Sequence, residues 1–229
     1  MSLRFSTLAS SAFGFVLATG LAAGQPNPSP APKVGFIRFW DMLPAANGSF
    51  EIRKLNASQS EPALLNATAY QYSRYTDVPA GRYQLAVFSK SHPQAAIRTF
   101  DVDLKPDIYL TLIVTPQNGS INVEVTDDTQ DPRASAATLM LRNYFPGTTV
   151  SVSAGTKTII NNLVYGQSVK ADFPLERVSL TLHTRLPDGK PAQAGAEMDF
   201  RSSNRATLLI IPDSYGRFRA RVTSDGKNL

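Results

Sequence analysis

Cysteine is absent from all 229 residues of this chain. That one absence excludes a disulfide framework, a lipoprotein-type anchor and thiolate metal sites. Histidine is scarce, with only His92 and His183. Neither has a second histidine or a carboxylate at ligand spacing, so no metal site is expected. Gly-rich phosphate loops are missing, and nothing resembles the turn that presents a nucleophilic serine. A Ser-His-Asp site is defined by geometry and not by chain order, but no serine here stands out from the spare hydroxyls of any β protein. The chain is read as non-catalytic and without a cofactor.

Long apolar runs are also few. One lies near the start, from about Phe13 to Ala23, after the basic Arg4 and ending in Ala22-Ala23-Gly24. It is short for a membrane span and has the order of a secretory signal peptide. Residues 1–24 are therefore expected to direct export, with cleavage near Gly24/Gln25 and no stable transmembrane segment afterwards; the other reading is a retained anchor. Residues 25–33 are rich in Pro and Ala and read as an extended tether. Charge is sparse at 18%, with a formal net of +5. Nucleic acid is a poor fit as partner, because the protein reads as exported and the basic strand described below lacks interleaved exposed aromatics.

What is present is alternation. The 16 prolines, scattered along the chain, argue against long helices and for short strands joined by turns. Strands are expected at 34–40, 50–55, from Tyr70 to the turn at Val78-Pro79-Ala80-Gly81, from Arg82, at 96–103, at 109–114 and at 121–125. Residues 56–69 read as a loop and Asn118-Gly119 as a hairpin turn. In the strand from Arg82, Tyr83, Leu85 and Val87 share one face. In 96–103 the apolar members are Ile97, Phe100 and Val102.

The second half repeats this plan. Asp77-Val78-Pro79-Ala80-Gly81-Arg82 returns as Asp172-Phe173-Pro174-Leu175-Glu176-Arg177, and the strand at 109–116 returns at 205–212. The offset stays near about 96 positions throughout, as a duplication requires. The expected fold is all-β: two tandem antiparallel β-sandwich modules of similar topology, residues 34–127 and 136–225. A single large sandwich is the other arrangement.

Two surfaces stand out. Phe218, Ala220 and Val222 take the inward positions of the last strand, which leaves Arg217, Arg219 and Arg221 outward, about 7 Å apart. With Arg201 and Arg205 expected nearby, this is a candidate docking face for an acidic partner or polysaccharide. The competing reading is charge that protects a sheet edge. Trp40, Tyr70, Tyr72 and Tyr75 read as core or cross-strand aromatics, or else as stacking platforms for sugar rings.

Ile37-Arg38-Phe39-Trp40-Asp41, Val78-Pro79-Ala80-Gly81-Arg82-Tyr83 and Asp107-Ile108-Tyr109-Leu110-Thr111-Leu112 follow one another in the first half. Leu139-Met140-Leu141-Arg142-Asn143, Ser153-Ala154-Gly155-Thr156-Lys157-Thr158 and Arg177-Val178-Ser179-Leu180 follow in the second. In these motifs, and in their order across two modules, the chain resembles the AlgF family of alginate O-acetylation accessory proteins. It departs from that pattern at Asp41, where the family has Asn, and at Leu175-Glu176. The resemblance implies a periplasmic, non-catalytic adaptor required for O-acetylation of an exported acidic exopolysaccharide such as alginate. Its partners would be periplasmic or membrane-linked O-acetyltransferase proteins and the acidic polysaccharide itself. The alternative is an extracellular β-sandwich binding or adhesion module with no role in acetylation.

Overall fold

The computed structural model describes residues 32–44, 49–56, 62–117, 120–131 and 133–225. The expected signal peptide, nearly all of the tether and the Asn118-Gly119 turn lie outside the described residues. The first half holds β1 (Val34–Asp41), β2 (Phe50–Lys54), β3 (Leu65–Ala67), β4 (Gln71–Tyr72), β5 (Thr76–Pro79), β6 (Gly81–Ser89), β7 (His92–Leu104), β8 (Tyr109–Gln117) and β9 (Ser120–Asp127). The second holds β10 (Ala137–Asn143), β11 (Thr149–Ala154), β12 (Lys157–Val164), β13 (Ser168–Phe173), β14 (Arg177–Arg185), β15 (Pro191–Asp199), β16 (Arg205–Pro212) and β17 (Phe218–Ser224).

These strands form two pairs of sheets with one topology. In the first half β4 and β5 flank β1, followed by β8 and β9; in the second the order is β13-β10-β16-β17. The facing sheets run β3-β2-β6-β7 and β12-β11-β14-β15. The fold is thus all-β with two similarly built sandwiches. Pairing is antiparallel except for β1 with β8 and β10 with β16, which run parallel in both halves. Turn signals, which report hairpins, carry no trace of such a pair, because its strands are joined through the opposite sheet. Register follows the duplication: Asp41 lies opposite Val114, and Asn143 lies opposite Ile210.

The repeated Pro turn is the corner at which the chain changes sheets. β5 pairs with β1, β6 pairs with β2, and only Ala80 separates them. The same step leads from β13 to β14. Gly81 is absent from the glycines of positive φ, which explains why Glu176 can occupy the matching place. Gly155, at φ +56 in the β11–β12 hairpin, does need that freedom.

Each sandwich has its own core. Ile37, Phe39, Ile52, Leu85, Val87 and Leu112 fill the first. Leu139, Leu141, Val152, Leu182, Leu208 and Ile210 fill the second. Several expectations are corrected. The loop 56–69 contains β3, whose Leu65 pairs with Ile52; a three-residue strand is too short to show a period in the sequence. The single strand from Tyr70 is split into β4 and β5, with Tyr70 itself at φ +54. Ile97 is exposed, because it stands an odd number of positions from Phe100 and Val102 and so falls on the opposite face of β7. His92 begins β7 and is not in a loop.

Asp41 and Asn143 show what the duplication kept. Each accepts a hydrogen bond at Oδ1 from the amide two residues on, Leu43 and Phe145, both at 3.0 Å. Asn143 Nδ2 also donates to the Thr148 and Leu163 carbonyls. Asp41 Oδ2 is buried with no hydrogen-bond partner. Burial pushes its carboxyl up to about 7, against the Leu43 amide, which pulls it down.

The folded value stands above the unfolded one of about 4, so this stabilisation is complete below about pH 4 and is lost as pH rises through about 7. Asp41→Asn should therefore raise the denaturation midpoint on the alkaline side and not in acid. The gain there should be on the order of 1–3 kcal/mol in chemical unfolding at about pH 8.

Candidate functional site at the seam between the two sandwiches

The outer faces of the two parallel-paired sheets meet. β1 and the residue after it turn Trp40 and Met42 outward, β8 turns Ile113, the residue after β10 is Tyr144, and β16 turns Leu209 and Ile211. These six form one buried cluster, with Tyr70 and Tyr72 packed against its margin. Trp40, Tyr70 and Tyr72 therefore belong to neither sandwich core. They sit at a second, inter-module layer, which alternation along one strand cannot distinguish from a solvated face.

Polar cross-links flank this cluster at both ends. Arg142 Nη1 pairs with both oxygens of Glu124, at 2.8 and 2.9 Å, and Nη2 donates to Thr126 Oγ1 at 2.9 Å. At the other end Arg38 crosses from β1 to the second module. Its Nε donates to Thr111 Oγ1 at 2.6 Å and Nη1 to Thr223 Oγ1 at 2.7 Å. Nη2 is shared between Asp128 Oδ2, at 3.2 Å, and Asp225 Oδ1. The guanidinium also lies 4.6 Å from the ring centres of both Trp40 and Tyr75. Arg38, Asp128 and Asp225 are all at most 2% exposed.

Asp128 and Asp225 are equivalent positions. Thr111 Oγ1 donates to the first and Thr207 Oγ1 to the second, and their amides donate to the Tyr109 and Arg205 carbonyls. Arg38 breaks the symmetry, since register places Met140 at its counterpart. Burial first, and then the Asp128 charge, holds Asp225 up to about 6, against Arg38 and Thr207, which lower it.

Above this cluster opens a groove of about 820 Å³. Phe36, Tyr72, Tyr75 and Tyr109 supply its rings, Arg38 its floor, and Val222, Thr223 and Ser224 its far wall. Phe36 stacks on Tyr109 with centroids 4.4 Å apart, and Tyr75 meets Tyr109 edge-on at 5.1 Å. Tyr75 Oη donates to Asp128 at 2.9 Å. Arg74 stands exposed in the lining, and its guanidinium makes no ion pair or hydrogen bond among the described residues.

The five arginines singled out in the sequence fall into two places. Phe218, Ala220 and Val222 do pack inward, so Arg219 and Arg221 face outward on β17, with Arg217 just ahead of it. That outward face is the flank of the seam and not a separate surface. Arg221 lies 4.4 Å over the ring of Tyr72, beside the groove. Asp213 accepts from Arg217 and Arg219 at 2.9 and 3.3 Å, which relieves the repulsion expected of the row. The Arg217 amide does most to hold Asp213 down at about 2. Arg217 also lies 4.9 Å from the ring of the exposed Tyr215.

Arg201 and Arg205 are not near that row. Arg201 pairs with Asp199 in the turn after β15, and Arg205 holds the Thr129 and Asp127 carbonyls of the connecting segment. Both lie at the opposite end of β17 from Arg219, about 20 Å along the strand. Among the described residues no group of three His, Asp or Glu could hold a metal ion.

No family model and no curated protein matches this chain. Solved structures overlap it only loosely, two of them as follows. A DUF3823 family protein from Bacteroides ovatus covers 74% of this chain and 100% of its own at 8% identity, with a TM-score of 0.21. A protein described as a candidate cell adhesion protein from Bacteroides uniformis covers 86% of this chain and 99% of its own at 12% identity, with a TM-score of 0.18. Overlaps this loose carry no argument about function. On its own geometry the chain is an all-β protein of two joined sandwiches with an aromatic and basic groove at their seam.

Arg38→Met, which copies the second module's residue, should cost about 3–5 kcal/mol in chemical denaturation at neutral pH. The loss should shrink in acid, where the abandoned Asp225 is neutral. A loss of under about 1 kcal/mol would show that Arg38 does not hold the modules together.

Proposed function

We propose that this is a non-catalytic binding protein that holds an acidic carbohydrate chain in the seam groove. The observation that supports it most is one surface where four aromatic rings line a groove that also carries Arg74, unpaired among the described residues. Ring faces offer flat apolar area to the C–H faces of sugars. A free guanidinium offers a planar fork to a carboxylate. Arg221, Arg219 and Arg217 extend the positive surface along β17, so an incoming chain would meet cations before it met the rings.

A short oligogalacturonate should bind more tightly than a neutral oligosaccharide of equal length, with the difference shrinking as salt is added. Arg74→Ala should weaken the acidic ligand about tenfold and leave thermal stability unchanged. Replacing Arg217, Arg219 and Arg221 by Ser, Asn and Glu should weaken it further at low salt. If calorimetry finds no binding of either glycan, the reading fails.

A narrower reading, supported by the resemblance to the AlgF family, makes this binding protein a periplasmic adaptor for O-acetylation of an exported acidic exopolysaccharide. Deleting the gene should then lower the acetyl content of the secreted polymer without lowering its yield. An unchanged acetyl content would leave the binding role alone standing.

A further inference from the structure

Duplication places two like charges together behind Arg38, the residue that floors the groove. Asp128 and Asp225, equivalent in the two modules, both lean on Nη2 of Arg38. Two carboxylates against one guanidinium leave one negative charge in excess, buried directly beneath a groove whose rim is positive. Water cannot screen it well, because both side chains are 3% exposed.

We propose that the groove is an acid-strengthened anion site, in which protonation of Asp225 removes the excess negative charge from behind its Arg38 floor and raises its affinity for an acidic carbohydrate chain. This rests on the groove being the binding site of that chain. The groups facing the pair are Arg38 from β1, Thr111 from β8, Thr207 from β16, Thr223 from β17 and Tyr75 from the segment before β5. Threonine does not titrate, and burial and the Asp128 charge push the Tyr75 hydroxyl upward, so it stays neutral. Burial and the same charge raise Asp225 towards neutrality. Uronate carboxylates, with ordinary values near about 4, remain ionised over the same window. The ligand therefore keeps its charge while the pair behind Arg38 loses one.

The test is calorimetric titration of a short oligogalacturonate at fixed ionic strength between about pH 5 and pH 8. Affinity should rise on the order of tenfold towards acid, while a neutral oligosaccharide of equal length shows no such change. Asp225→Asn, checked by thermal melting, should bind the acidic ligand at the acid-side affinity throughout. Flat affinity in the native protein, or a slope that survives in Asp225→Asn, overturns the proposal and leaves the groove reading intact. Failure to bind at any pH overturns the groove reading itself. Should Asp225→Asn not fold, the carboxyl resonance of Asp225 in the native protein decides. A midpoint above about 5 supports the proposal, and one in the ordinary carboxylate range overturns it.

Discussion

The structure turns on one guanidinium. Arg38 is the only described cation placed on two buried carboxylates, and those carboxylates come from the ends of both modules. Around it the energetics are delicate. Removing ions from water costs several kcal/mol each, and only complete hydrogen bonding offsets this. Arg38 meets that demand through Thr111, Thr223, the Ser224 carbonyl and both aspartates, with Trp40 and Tyr75 against its faces. Take the arginine away and two carboxylates face each other in a dry seam. The apolar cluster next to it can bury Trp40 and Leu209 only while the seam stays shut.

The same packing gives the groove its character. Sandwich cores bury one face of each sheet and normally leave the other to water. Here the outer faces of two sheets close on each other around Trp40 and Leu209, and the groove lies where Phe36 and Tyr109 stack. The rings lining the groove are thus held by strand pairing and by the seam rather than by flexible loops. The segment carrying Arg74 is likewise fixed, since Ser73 is tied to Phe39 through both its amide and its hydroxyl. A site made this way is set in place before any ligand arrives, which lowers the ordering cost of binding.

Much of this fold was legible. The strand Arg205–Pro212 was legible at its observed ends, because alternation and turn residues report local structure. The duplication was legible too, through the two sheet-changing corners. The inward set Phe218, Ala220 and Val222 was read correctly, and so was the outward direction of Arg219 and Arg221. What they face was not. Arg38, between Ile37 and Phe39, looks like any outward polar residue of a strand, and its acidic partners lie far along the chain in segments without period. The parallel pairing of β1 with β8 was hidden for the same reason: it is a long-range contact with no turn to announce it. Strand pattern encodes which way a side chain points, and only the tertiary arrangement says what it meets.

The charge pattern of the seam also decides which module can sit against which. Glu124 in the first module and Arg221 in the second occupy the same strand position, facing Arg142 and Tyr72 respectively. Two copies of the second module brought together in this geometry would set Arg221 against Arg142 and Asp225 against Asp225, with Met140 where the bridging arginine stands. Sequence divergence between the copies has thus done more than vary a surface. It has turned a face that duplication would have made self-complementary into one matched to its sister, so that a second module is a poor partner for another second module.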